Sequence, residues 1–131
     1  MTKAARIPDY LRHILTAIER IRRYTENMGE AEFMANELVQ DAVIRNIEII
    51  GEAANNIQRA ALPFTTLHKH IPWSVMYAMR NRVCHGYDKV DLQLVWRTIA
   101  CDLPGLYQQV RALELHPSLD DIPLHGPSTG P

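Results

Sequence analysis

The chain lacks a charge excess of either sign: fourteen Lys and Arg against fifteen Asp and Glu leave its 131 residues at −1. A protein that coats nucleic acid by charge alone carries a marked basic excess, so this balance excludes that class while leaving room for cations gathered at one place. No apolar run is long enough to cross a bilayer, and Met1-Thr2-Lys3-Ala4-Ala5-Arg6 leads into no apolar signal segment. A soluble, cytoplasmic protein with no membrane partner is expected. Cysteine is scarce. Cys84 and Cys101 fall in expected helices without zinc-ligand spacing and read as reduced thiols. His68 and His70 have a spacing found in some metal sites, but no acidic or thiolate partner accompanies them, so no metal and no cofactor are expected. Internal repeats and strand patterns are absent as well. The length suits one domain with a usable core, and the hydrophobic fraction of 47% is ordinary for it.

What is present is helical periodicity. After Pro8-Asp9, a suitable helix start, Leu11, Ile14, Leu15, Ile18, Ile21 and Tyr24 recur at helical spacing, predicting a first helix to about Asn27 with Gly29 near its stop. Its other face carries Arg12, Arg20, Arg22 and Arg23, either a solvated face or an approach surface for RNA. A turn of helix around Phe33 precedes a second long helix from about Glu37 to Ala61. Gly51 lies inside that helix despite the helix penalty, which predicts close approach of another helix. Leu62-Pro63 ends it, one short turn fits within Thr65–His70, and Ile71-Pro72-Trp73 opens a third helix that Gly86 is placed to stop. Asp91 can cap a fourth helix through Leu113, with Pro104 kinking it. Prolines at 117, 123, 127 and 131 deny helix to an extended or disordered tail. The expected fold is all-α: an antiparallel four-to-five-helix bundle over residues 1–115, with the tail at 116–131.

Chemistry gathers in Arg80-Asn81-Arg82-Val83-Cys84-His85-Gly86-Tyr87, at the end of the third helix. Histidine can take a proton from a ribose hydroxyl and return one to a leaving oxygen near neutral pH. Arginine presents a planar fork of donors to the equatorial oxygens of a crowded phosphate, where charge grows in the transition state. The bland alternative is a helix whose Arg and His favour the negative end of its dipole. Asn81 and His85, four apart, share a helical face, and Arg80 lies one step around it. For Arg80 and His85 to reach one phosphate, the turn near His85 must loosen or a second copy must contribute.

Arg80-Asn81-x-x-x-His85-x-Tyr87 resembles the Arg-x(4)-His-x-Tyr form of the HepT-like toxins of the HEPN superfamily, which are paired with MntA-type minimal nucleotidyltransferases. Asp9-Tyr10-Leu11-x-His13-Ile14-Leu15, the stretch from Gln40 to Ala53, and Ile71-Pro72-Trp73 are similar to the same family, so the resemblance runs from about Pro8 to Leu113. It implies a HEPN-like bundle and a homodimer bringing two motifs together, which would also make a basic pocket on a nearly neutral chain. It implies that His85 activates the ribose 2′-hydroxyl and that Arg80 stabilises the phosphorane-like transition state. No metal is needed in such a mechanism, and cleavage leaves a 2′,3′-cyclic phosphate and a 5′-hydroxyl. Asn81 orients His85 or the phosphate, or is an exposed amide; Arg82 binds a neighbouring phosphate or is solvated. Tyr87 is, by resemblance, the residue to which the cognate nucleotidyltransferase antitoxin attaches AMP, silencing the toxin.

The expected function is therefore a metal-independent endoribonuclease toxin acting on RNA. The rival is a non-catalytic HEPN subunit that binds or regulates a nucleotidyltransferase, and a plain helical interaction protein is the third reading. Asp41 and Arg45 form an i,i+4 pair, ordinarily a weak surface salt bridge. With Asn46 and Glu52, they also lie in the family-like stretch, where a supporting role behind the site is open.

Overall fold

The computed structural model describes residues 4–84 and 90–115. Helix α1 spans Ile7–Tyr24 with Pro8 in its first turn, where the missing N–H has no helical acceptor to lose. Leu11, Ile14, Leu15, Ile18 and Ile21 are fully buried, and burial of each such side chain stabilises by about 1.5–3 kcal/mol. The helix stops at Tyr24, earlier than Asn27. The Thr25 hydroxyl donates back to the Ile21 carbonyl at 2.8 Å, and Asn27 turns the chain with φ 62°.

Helix α2, Glu30–Met34, forms around buried Phe33; its start is tied by the Gly29 N–H donating to the Glu32 carboxylate at 2.9 Å. Helix α3, Glu37–Ala60, begins at Asn36, whose side-chain oxygen accepts from the Val39 N–H at 3.0 Å. Pro63 does more than end α3. It occupies the first turn of a further helix, α4, Leu62–Leu67, where a proline is tolerated. Helix α5 runs Trp73–Cys84, and Asp91 caps α6, Leu92–Arg97, by accepting from the Leu94 N–H at 3.0 Å. Between α6 and α7, Leu103–Leu115, lies a π-helical turn, Thr98–Asp102, with the Leu103 N–H reaching back to the Thr98 carbonyl. Pro104 explains it: with no N–H and a ring that crowds the preceding turn, it is accommodated by a widened turn, and the helix resumes.

Helix α3 is the centre of the bundle, with α1 and α5 packed against it. Helix α7 returns antiparallel along α1, since Arg12 pairs with Glu114 at 3.2 Å and Glu19 accepts from the Tyr107 hydroxyl at 2.8 Å. The arginine face of α1 is thus partly a seam: Arg12 also reaches Glu19 at 2.9 Å, and the Arg22 guanidinium lies 4.3 Å from the Tyr107 ring centre. The Tyr107 hydroxyl, followed by the Arg12 charge, holds the Glu19 carboxyl below the usual carboxylate range, and the same hydrogen bond raises Tyr107. Arg20 and Arg23 remain exposed. The described residues contain no strand, and none of their helices is long and apolar enough to cross a membrane. The expected helix stop at Gly86 and the 116–131 tail lie outside the described residues.

Candidate active site

Helices α3 and α5 run antiparallel: the Gln58 amide donates to the Ser74 hydroxyl at 2.9 Å, and two turns further along each helix Gly51 faces Arg80. The approach there is close. A Cβ on Gly51 would lie 2.4 Å from Arg80 Cβ, 3.0 Å from its Cγ and 3.2 Å from the Met76 carbonyl oxygen. The absence of a side chain at 51 therefore lets the stem of Arg80 lie on the α3 backbone, as the mid-helix glycine implied.

From that stem the guanidinium reaches around to the outer face of α3. Its NH2 nitrogen pairs with Glu52 Oε1 at 2.9 Å, and NH1 donates to Asn81 Oδ1 at 3.0 Å. Nε is buried with no hydrogen-bond partner among the described residues, and the guanidinium carbon stands 5.9 Å from the Tyr77 ring centre. A guanidinium has five N–H groups. Asn81 engages one on NH1 and Glu52 lies against NH2 as an ion pair, so this pair of nitrogens keeps N–H groups with no acceptor among the described residues. With a quarter of its side chain exposed, Arg80 can offer that pair to an anion from solvent. A partly exposed ion pair of this kind stabilises a fold by about 1 kcal/mol at most, so its larger effect is on where the guanidinium sits.

Asn81 therefore belongs with Arg80 and is not a free amide. Arg82 does not join them. Two residues along a helix is about 160° around it, and Arg82 is exposed on that other side of α5. His85 and Tyr87 lie outside the described residues. Arg45 pairs with Glu48 at 3.7 Å, not with Asp41 as the i,i+4 spacing suggested. Asn46 is buried; its amide donates to the Ala42 carbonyl at 2.8 Å and its Oδ1 has no partner among the described residues. Sequence reasoning left Glu52 out of the site and missed Tyr77. The signal for Tyr77 was its position one turn before Arg80.

Away from this site, the face formed by α5, the π-turn and α7 holds a groove of about 320 Å³, with Val75, Met76, Met79, Cys101 and Leu106 among its walls. His68 and His70 have ring centres 5.9 Å apart, and no group of three metal-ligating side chains occurs among the described residues. The His68 ring packs on Phe64 at 4.7 Å, and its burial holds its pKa below the ordinary histidine value.

The model of the family described as ribonuclease HepT-like matches residues 14–113, a span that includes the whole motif. The chain belongs to the HepT-like family. HepT-like relatives carry nuclease names. A Thermococcus cleftensis protein named probable ribonuclease HepT is 42% identical over 98 residues, covering 75% of this chain and 86% of that one. A Methanocaldococcus jannaschii protein named gamma-glutamylcyclotransferase and putative RNase is 42% identical over 101 residues, 77% of this chain. The match spans 44% of that longer protein. A third, a putative RNase of Caldanaerobacter subterraneus, is 31% identical over 104 residues, 79% of this chain and 90% of its own. No solved structure matches the chain.

Proposed function

We propose that the chain is a HEPN endoribonuclease, acting in the cytoplasm as the toxin of a two-gene pair whose antitoxin is an MntA-like nucleotidyltransferase. The observation that carries this reading is Arg80: a half-buried arginine held by the Glu52 ion pair and the Asn81 hydrogen bond, five residues before His85. In the mechanism, His85 takes the proton of a ribose 2′-hydroxyl, whose oxygen attacks the adjacent phosphorus. Arg80 stabilises the charge that grows on the phosphate oxygens, and the proton His85 has taken is returned to the 5′-oxygen, which leaves as a hydroxyl. The nucleophile comes from the RNA itself, so the step needs no metal. Arg82, exposed on the opposite side of α5, is suited to a more distant phosphate of the same strand.

The active form is a homodimer. Arg80 and His85 are not aligned along a regular helix, and the groove between α5 and α7, with Val75 59% exposed in its wall, offers a second copy an apolar face on the helix that carries Arg80. Tyr87 is the site at which the antitoxin adds AMP; the adduct brings bulk and negative charge to where RNA phosphate must lie. A non-catalytic regulatory subunit is the rival, but such a subunit has no use for an arginine held in this way.

The test is direct. Purified protein should cleave RNA in the presence of EDTA and arrest growth when expressed, and His85→Ala should abolish both while leaving a folded dimer. With the cognate nucleotidyltransferase, ATP and magnesium, the wild type should gain AMP mass and lose cleavage, while Tyr87→Phe should gain none. Wild-type cleavage by His85→Ala, or an equal mass gain on Tyr87→Phe, removes the corresponding assignment.

A further inference from the structure

We propose that Glu52 is a positioning residue for Arg80: it holds the guanidinium where the transition-state phosphate needs it and weakens Arg80 as a ground-state anchor for RNA. The inference rests on the reading of Arg80 as the phosphate-stabilising group.

Three observations support it. Arg80 is gripped at both ends, its stem against Gly51 and its terminal nitrogens by Glu52 and Asn81. Of these constraints, Glu52 alone carries charge. Secondly, α3 and α5 are already joined by the Gly51 contact and by the Gln58–Ser74 hydrogen bond, so the packing of the two helices does not depend on Glu52. Its particular effect is on the terminal nitrogens. Thirdly, the Glu52 carboxylate is more than half exposed and lies beside the one arginine of the motif that the structure holds in a fixed pose. Its negative charge offsets that of Arg80 and repels an approaching phosphate.

The two effects oppose one another in the ground state and separate in the transition state. Loss of Glu52 frees Arg80 to meet RNA with its full charge, so binding holds or tightens. The same loss lets a long side chain sample many rotamers, so the fraction aimed at the reacting phosphate falls, and a misplacement of about 1 Å at a reacting centre costs on the order of 100-fold in rate. An interaction used in this way lowers kcat without raising KM when removed. A purely structural residue would lower the amount of folded enzyme, leaving kcat per folded molecule and substrate affinity alone.

The experiment compares wild type, Glu52→Gln, Glu52→Ala and Arg80→Ala, using a short RNA for turnover and the same RNA with 2′-deoxyribose at the cleavage site for binding. Glu52→Ala is expected to melt within a few degrees of wild type, to lose about 10- to 100-fold in kcat, and to bind the uncleavable RNA as tightly or more tightly. Glu52→Gln, which keeps a side-chain oxygen at the same reach beside Arg80 without the charge, should recover part of the lost kcat. Unchanged kcat in Glu52→Ala, or a loss of RNA binding that parallels the loss of turnover, overturns the proposal. Arg80→Ala separates the two claims: if it cleaves like wild type, the reading of Arg80 itself has failed; if it is inactive while Glu52→Ala is normal, only the role of Glu52 has.

Discussion

Replacing Gly51 by alanine puts two opposing effects in one atom. In an open helix, the change removes glycine's backbone freedom and stabilises by about 1 kcal/mol. Here the new methyl would stand 2.4 Å from Arg80 Cβ, against an ordinary carbon–carbon contact of roughly 3.5–4.0 Å. The atom it meets is fixed to the α5 backbone and cannot rotate away, and the Met76 carbonyl at 3.2 Å closes the other direction. The helices must separate by about 1 Å, and overpacking of this kind costs about 1–3 kcal/mol. The net expectation is a loss of up to about 2 kcal/mol, which at roughly 4 °C per kcal/mol for a domain of this size lowers Tm by as much as about 8 °C. Gly105, with no atom of the described residues within 4 Å of an added Cβ, is the internal control: Gly105→Ala should leave Tm unchanged or raise it. Thermal melts followed by circular dichroism read both, and RNA cleavage should fall in Gly51→Ala alone because Arg80 is displaced. A rise in Tm for Gly51→Ala like that for Gly105→Ala would refute the close approach of α5 and, with it, the account of how Arg80 is placed.

Further expectations follow from the same packing. Phe33 is fully buried, with its ring 5.3 Å from that of Trp96, so Phe33→Ala should cost about 3–5 kcal/mol in denaturant unfolding; a loss below about 1 kcal/mol would contradict the docking of α2 against α6. Glu19 has a depressed pKa in the fold, so its contribution is present above the ordinary carboxylate range and is lost as pH falls through its folded value. Tyr107→Phe removes the largest cause of that depression: its Tm should start below wild type near neutral pH and fall less on acidification, and parallel curves would exclude the linkage. His68, its pKa lowered chiefly by burial, contributes stability above the ordinary histidine range that is lost as pH falls through it. His68→Leu should flatten the fall of Tm as pH drops below the ordinary histidine range, and an unchanged slope would assign the loss elsewhere.

Much of the fold was legible because buried positions recur at helical spacing: Leu11, Ile14, Leu15, Ile18 and Ile21 of the first helix fill the core, though Tyr24 of the same set is only half-buried, and Asp91 caps where it was expected to. The misses are local events that periodicity does not encode. Thr25 bonding back to Ile21 and Asn27 in a left-handed conformation shorten α1, and Pro63 starts α4 as well as ending α3. Pro104 was expected to kink the last helix; its accommodation is a π-turn that precedes it. The candidate site was legible where it is contiguous, in Arg80 and Asn81. Glu52 was named only for an open supporting role and not paired with Arg80, because it meets Arg80 through the register of α3 against α5, and one sequence sets no such register. Gly51 carried the only hint of it.

The central claim is that Arg80 stabilises a phosphate under attack by the neighbouring ribose hydroxyl. End-group analysis of RNA cut by the purified protein in EDTA, beside the Arg80→Ala variant at equal folded concentration, tests it most directly. The wild type should yield 2′,3′-cyclic phosphate and 5′-hydroxyl ends, and the variant should not cleave. Products with 3′-hydroxyl and 5′-phosphate ends, or an Arg80→Ala variant that cuts at the wild-type rate, would contradict it.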